Sequence, residues 1–336
     1  MARILVTADW HINSNRLERG FGLARSVMAT ALLHQITHVF VVGDLLDEKE
    51  RYSLDLLAGL AGIFEEYADA GLDLYWIRGN HEVPLSSRPT HTIMKVFRNL
   101  CWTVDTASVV EVGDDLSVFC LPWYPAEMFK ERSKNLAHKT TTHKGRARLL
   151  LAHVGLSEGE LEGGFRIEQP IQLCDLHCDN YHQVWLGDYH KHQKVGPRAY
   201  YCGVPISHRH GEGNPNRVWV FDSVLRRAEP VDLAVKFPGH VTYTIESRDD
   251  LPRDFDPNQI NKIKCHVNDV AELRKRFGRE VVYETHGSSL PEVARRVTDQ
   301  SSYEHVLGEF LKSKGWEKTH SAEAMKYLKK VKGKMK

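Results

Sequence analysis

Ile4-Leu5-Val6-Thr7-Ala8-Asp9-Trp10-His11 is the stretch on which the reading of this chain turns: a short apolar run that leads straight into a carboxylate and an imidazole. The pattern recurs four times. Val39-Phe40-Val41-Val42 leads to Gly43-Asp44, and Leu74-Tyr75-Trp76-Ile77 to Gly79-Asn80-His81. Leu149-Leu150-Leu151-Ala152 leads to His153, and Val184-Trp185-Leu186 to Gly187-Asp188-Tyr189-His190. Short runs rich in β-branched and aromatic residues, bounded by glycine and polar residues, read as buried strands. Each of the five therefore ends in a group able to bind a metal.

Helical spacing fills the gaps between the first three runs. Leu54, Leu57, Ala58, Ala61 and Phe64 share one helix face, with Gly71 placed to end that helix, and Leu17, Leu23, Val27 and Ala31 outline a looser one. Strand–helix–strand alternation predicts parallel strands in an α/β fold. Functional groups of such sheets gather beyond the carboxyl ends of the strands, which is where all five sets fall. Farther on, Tyr200 to about Phe221 reads as antiparallel strands. Pro230, Pro238 and the Asp249–Pro257 segment predict linkers into a smaller unit with a strand over 263–267 and a helix over 270–277. Two short helices, 303–314 and 322–331, close the chain.

Asp9 and His11, two apart on an extended strand end, are expected to point to the same side. Asp44 is placed to bridge two cations, and Asn80, His153, Asp188 and His190 complete a set of seven donors. Nitrogen and oxygen donors without thiolates favour Mn, Fe or Zn over Ca and argue against a closed structural zinc site. Two such ions, roughly 3.5–4 Å apart, would acidify a shared water, hold phosphoryl oxygens and spread transition-state charge. His81, beside Asn80, is then the natural proton donor to the leaving oxygen. Any one pair of these residues is weak evidence; five sets in order, each after a strand, are not.

Bulk composition bounds the rest. The 336 residues carry 45 basic and 44 acidic side chains, a net charge of +1, so overall charge neither requires nor excludes a nucleic acid. Six scattered cysteines (101, 120, 174, 178, 202, 265) lack a disulfide-scaffold spacing, and no apolar stretch has the length of a bilayer span. A soluble, cytoplasmic protein is expected. Cys174, His177, Cys178 and His182 lack a closed zinc spacing and read as packing residues.

Asp9-Trp10-His11, Gly43-Asp44-Leu45-Leu46-Asp47, Gly79-Asn80-His81-Glu82, His153 and Gly187-Asp188-Tyr189-His190 resemble, over about residues 1–225, the motif set of the calcineurin-like metallophosphoesterases. The resemblance implies an αββα four-layer sandwich. It implies one metal on Asp9, His11, Asp44 and His190, a second on Asp44, Asn80, His153 and Asp188, and His81 as the catalytic non-ligand. Asp47 and Glu82 look like partners that orient imidazoles. The family pattern usually has histidine where this chain has Asp188. The extra carboxylate favours Mn²⁺, with Mg²⁺, Fe²⁺ or Zn²⁺ as alternatives. A register shifted to His190 and His192 stays open, although Gln193 matches the first. Glu48-Lys49 stands where protein Ser/Thr phosphatases carry Arg-Gly, against that branch.

The Asp-Trp-His opening, Leu121-Pro122-Trp123-Tyr124 and the stretch from Tyr201-Cys202-Gly203 to His210-Gly211-Glu212 look like SbcD-type DNA nucleases. That branch implies a nuclease core over 1–230, a smaller DNA-contacting α+β cap over 231–298, and a helix pair over 299–336 that docks on an SbcC-type coiled-coil ATPase; it also implies a homodimer. Trp123, Tyr124, Arg146 and Arg148, in and after a basic stretch, are the expected DNA contacts, and the lysine-rich tail is either a phosphate contact or a solvated helix end. Competing readings are a small-substrate phosphodiesterase, which would not need the hundred residues after the core, and a non-catalytic adaptor, which would not need His81.

Overall fold

The computed structural model describes residues 1–84, 92–245, 259–266, 269–277 and 281–286. The expected terminal helix pair and lysine-rich tail lie outside them, as does the expected 249–257 linker. The chain separates into two compact units, one of residues 1–241 and 256–260, the other of the remainder.

The first unit is built on two six-stranded sheets. In chain order the first sheet takes β1 (Arg3–Thr7), β2 (His38–Val42), β3 (Asp73–Ile77), β4 (Trp102–Val104), β11 (Arg217–Asp222) and β12 (Arg227–Asp232). The second takes β5 (Ser108–Val112), β6 (Leu116–Leu121), β7 (Ala147–His153), β8 (Gln183–Gly187), β9 (Gln193–Lys194) and β10 (Ala199–Tyr201). Strands β1 to β4 run parallel, as do β6, β7 and β8. Strand β10, expected to be antiparallel, pairs in parallel with β8 and antiparallel only with β9. Apolar alternation shows that a strand is buried, not in which direction its neighbour runs.

Period-two alternation sorts the side chains into layers. From β1, β2 and β3, Leu5, Val39, Val41, Leu74 and Trp76 pack with α1 (Leu17–Leu33), α2 (Leu54–Asp69) and the short α3 (Met94–Phe97), in one cluster with Leu23, Val27, Leu56, Leu60, Phe64 and Phe97. Their alternates Ile4, Val6, Phe40, Val42 and Ile77 pack between the sheets against Val118, Cys120, Leu149, Leu151 and Trp185. The outer face of the second sheet, with Phe119, Leu121, Leu150 and Leu186, is covered by Phe129 and Leu136 of α4 (Ala126–Lys139). The result is the four-layer αββα order. Helix α2 starts where the Ser53 side chain accepts a hydrogen bond from Leu56 N at 3.1 Å, and it ends at Ala70 with Gly71 at φ +72°.

Most of the residues of a further sheet, in the order β13 (His240–Thr244), β14 (Ile260–His266), β15 (Val282–His286), belong to the second unit, as does α5 (Val270–Phe277). Ile245, Ile263, Cys265 and Leu273 form its small core. Among the described residues no helix is long and apolar enough to cross a membrane.

Candidate metal centre

The carboxyl ends of β1, β2, β3, β7 and β8 deliver their terminal residues to one point. Asp9 and His11 reach it by a route other than the expected strand extension: β1 stops at Thr7, and both residues take left-handed backbone conformations, φ +54° and +44°. Asp44 (φ +48°) and Asp188 (φ +98°) do the same. Such conformations cost about 1–3 kcal/mol each in a non-glycine residue, and four of them within one cluster mark strain held in place by the surrounding fold. Backbone bonds hold the turns together: Asp9 N donates to Gly43 O at 3.1 Å and His11 N to Asp44 O at 3.0 Å. Glycine is required at Gly43 and Gly79 by proximity, since a Cβ there would stand 1.9 Å from His153 Nδ1 and 2.1 Å from Asp44 Oδ1.

All seven expected donors and His81 meet. Three overlapping sets, Asp9/His11/His190, His11/Asp44/His81 and Asp9/Asp44/His153, each bring their ligand atoms within 4.8 Å of one another. Asn80 Oδ1 lies 3.1 Å from His153 Nε2, and Asp188 Oδ1 lies 3.7 Å from that nitrogen. Asp9, His11 and Asp44 each belong to two of the sets.

The donor chemistry fits cations. His190 Nδ1 faces Glu212 Oε1 at 2.7 Å, so that carboxylate holds the proton on Nδ1, whereas His11 Nδ1 lies 3.3 Å from Asp47 Oδ1 without the geometry of a hydrogen bond. His11 Nε2 and His190 Nε2 stand 3.0 Å apart, so one ring can donate to the other, or both can offer lone pairs to a cation. The Asn80 amide also reaches the cluster: with its NH₂ turned inward it donates to the two Asp44 carboxylate oxygens at 3.0 and 3.1 Å and to His153 Nε2 at 3.1 Å, and with its oxygen turned inward it offers a ligand to a cation. His153 is tied across the two sheets, its Nδ1 2.8 Å from Val42 O, which turns Nε2 inward.

Electrostatics point the same way. Burial pushes Asp9 up, against the pull of His153 and His190, and pushes Asp188 up to about 6. Burial acts on Asp44 too, but His153, with His11 and His81, outweighs it and holds the carboxyl below the usual range. Two buried carboxylates, Asp9 and Asp44, beside the partly buried Asp188 are stable only with positive charge among them.

The residues around this cluster divide differently from expectation. Asp47 does face an imidazole. Glu82 does not: fully buried, it accepts from Gly79 N at 2.6 Å, Asp44 N at 3.1 Å and Leu46 N at 3.2 Å, clamping the loops after β2 and β3 together. Burial, and then Asp44, raise it to about 7. The imidazole partner that sequence reasoning missed is Glu212, whose Oε2 also accepts from His208 N at 2.7 Å. His208 was missed as well; its Nε2 meets Asp9 O at 2.9 Å and its ring lies 5.3 Å from that of His11, with burial holding it down to about 3. Both sit in the Tyr201–Glu212 stretch that the motif comparison singled out, which was the available signal.

The expected DNA contacts are not brought together. Arg146 and Arg148 lie at the start of β7, roughly 17–23 Å from His153 at its far end. Arg146 donates to Ser117 Oγ, Gly113 O and Leu116 O, and Arg148 to Asn180 O, so both are occupied as structural staples. Tyr124 is 6 % exposed, its hydroxyl accepting from Ala107 N, while Trp123 is half-buried and exchanges backbone contacts with Arg78. Cys174, His177, Cys178 and His182 form no metal-ligand group among the described residues.

The chain is 21 % identical over 279 residues to exonuclease subunit 1 of Enterobacteria phage T4, an alignment covering 79 % of this chain and 78 % of that protein. Among solved structures, TT1561 of Thermus thermophilus aligns over 69 % of this chain and 98 % of its own, with a TM-score of 0.47 and 14 % identity. A dimetal phosphatase from Danio rerio aligns over 69 % and 99 %, with a TM-score of 0.45 and 12 % identity. The calcineurin-like phosphoesterase family model matches residues 2–270, most of the chain, and with the motif residues converging as described this protein belongs to the calcineurin-like phosphoesterases.

Proposed function

We propose that this protein is a two-metal phosphodiesterase that cuts DNA. The observation that carries the phosphodiesterase half is the convergence of Asp9, Asp44 and Asp188 with four inward-facing imidazoles and one amide oxygen. Support for DNA as substrate comes from the likeness to a phage exonuclease subunit, which extends over 279 residues.

In this reading Asp9, His11, Asp44 and His190 hold one divalent cation and Asp44, Asn80, His153 and Asp188 the other, with Mn²⁺ suited to the carboxylate-rich second set. When bound, such a pair acidifies a water and neutralises charge developing on the phosphoryl group. The remaining work falls to the protein. Glu212 holds His190 in the tautomer whose Nε2 lone pair faces inward, and Asp47 places a carboxylate 3.3 Å from His11 Nδ1. His81 has Nδ1 tied to Asp47 O at 2.6 Å, which leaves Nε2 directed at the cluster, 3.8 Å from Asp44 Oδ2. As imidazolium it can pass the Nε2 proton to the leaving 3′ or 5′ oxygen. An SbcC-type ATPase partner, a homodimer and a role in repair or recombination belong to the same proposal, and rest on the motif resemblance.

Labelled single- and double-stranded DNA, incubated with Mn²⁺, Mg²⁺ or Zn²⁺, tests it. Mn²⁺-dependent cutting is expected, with His81→Asn lowering kcat by roughly 10²–10⁴-fold while Mn²⁺ affinity stays within a few-fold of wild type. Intact DNA alongside cleaved bis-p-nitrophenyl phosphate would transfer the chemistry to a small substrate and end the nuclease reading.

A further inference from the structure

A pocket of about 30 Å³ opens off the metal centre, and its wall includes the centre residue His11 with Trp10, Asn13, Arg16, Arg19 and His208. His208 ties it to the cluster, its ring 5.3 Å from that of His11 and its Nε2 2.9 Å from Asp9 O. Two arginines stand in this wall with no carboxylate partner among the described residues. Arg16, exposed, donates from Nη1 to His208 O at 2.9 Å; half-buried Arg19 donates from Nη2 to Ser207 O and to Pro238 O, each at 2.9 Å. Those carbonyls fix the guanidinium groups but leave both positive charges unmatched. Arg19 Nε is buried without a hydrogen-bond partner, and burial, then the charge of Arg16, pull Arg19 below the ordinary arginine range. No acidic side chain lines the pocket. Glu212 Oε1 faces His190 and Arg209, and Asp47 Oδ1 faces His11.

We infer that Arg16 and Arg19 form an anion site that holds the phosphate next to the scissile one on a DNA strand. The inference rests on the nuclease reading above and names what grips that substrate beside the centre. Two like charges drawn partly out of water are unfavourable until an anion joins them, and an arginine fork matches phosphate oxygens two at a time. Size decides which part of a nucleotide enters. The pocket has room for roughly one or two water-sized groups, enough for phosphoryl oxygens and far too little for a base. Arg16 gives one of its five N–H donors to His208 O, and the others stay open to a ligand. The link to the centre is short: the His208 carbonyl holds Arg16 while the His208 ring holds the Asp9 turn. A small diester has one phosphate, which the centre itself takes, so it leaves the arginines without an anion.

Two variants of the exposed arginine, Arg16→Gln and Arg16→Lys, separate the outcomes. Binding of a fluorescent decathymidylate is titrated at several salt concentrations in the slow-cutting His81→Asn background, and Mn²⁺-dependent cleavage of the strand and of bis-p-nitrophenyl phosphate is measured with His81 in place. Arg16→Gln is expected to raise Kd for the strand about tenfold or more and to flatten log Kd against log salt by about 0.7, the share of one phosphate on a single strand. Arg16→Lys, which keeps the charge, should restore that slope. In cleavage, Arg16→Gln should lower kcat/KM on the strand about tenfold more than on the diester. An unchanged Kd and salt slope in Arg16→Gln, with wild-type cleavage of the strand intact, overturns the anion site and leaves the nuclease reading standing. Equal losses on strand and diester overturn it too, by showing that Arg16 supports the fold or the centre and not a phosphate. If the wild type cleaves the diester but not the strand, the nuclease reading has failed and the anion site falls with it.

Discussion

Replacing Glu212 by glutamine should uncouple metal binding from folding. The carboxylate accepts four hydrogen bonds: from His190 Nδ1 at 2.7 Å and Arg209 Nε at 2.8 Å on one oxygen, and from His208 N at 2.7 Å and Arg209 N at 3.2 Å on the other. Glutamine keeps the shape but has one accepting oxygen. If that oxygen stays with the two backbone N–H groups, the NH₂ turns to His190 Nδ1, which must then accept. The His190 proton moves to Nε2, the atom that faces His11 Nε2 and is needed as a lone pair. Loss of an orienting partner typically costs 10–100-fold in metal affinity, about 1.4–2.7 kcal/mol. Calorimetric titration with Mn²⁺ reads this directly, and thermal unfolding with Mn²⁺ or with EDTA separates it from loss of the turn. The gap in Tm between variant and wild type should be wider with Mn²⁺ than with EDTA. Mn²⁺ affinity equal to that of wild type would refute the tautomer reasoning.

Three further outcomes follow from the geometry. Gly79→Ala puts a Cβ 2.4 Å from the Asp44 backbone nitrogen, so the loop must move; destabilisation of roughly 1–3 kcal/mol and lost Mn²⁺ binding are expected, and wild-type behaviour in both denaturant titration and calorimetry would contradict the close approach. Arg146→Ala and Arg148→Ala, at the opposite end of β7, should lower stability while leaving KM for a DNA strand unchanged, and a raised KM in either variant would return those arginines to the substrate path. Chelation should lower Tm, because Asp9 and Asp44 are buried beside the partly buried Asp188; ligand at 100 times Kd is worth about 2.7 kcal/mol. A Tm unmoved by EDTA after Mn²⁺ loading would mean that the centre holds no ion.

The alternation of apolar residues in Ile4-Leu5-Val6 and its four counterparts was enough to determine buried strands, the α/β class and the side-chain types at each strand end. Those are local properties: burial on two faces sets the run, glycine permits the close turn, and the ligand follows within a few residues. Asp9, His11, Asp44, Asn80, His81, His153, Asp188 and His190 were legible for that reason. What only the tertiary structure decided are relations between distant segments. Asp188 N donates to Asp9 Oδ1 across 179 residues, and no periodicity reports such a pairing. The role of Glu82 as a loop clamp, the hold of Glu212 on His190, the parallel course of β10 and the removal of Arg146 and Arg148 from the centre are all of this kind. Charge and aromatic rings close together along the chain suggested a DNA surface near Arg146. The strand between Arg146 and His153, however, spends its length carrying the two apart, while Arg16 and His208, 192 residues apart in sequence, come to line one pocket with His11.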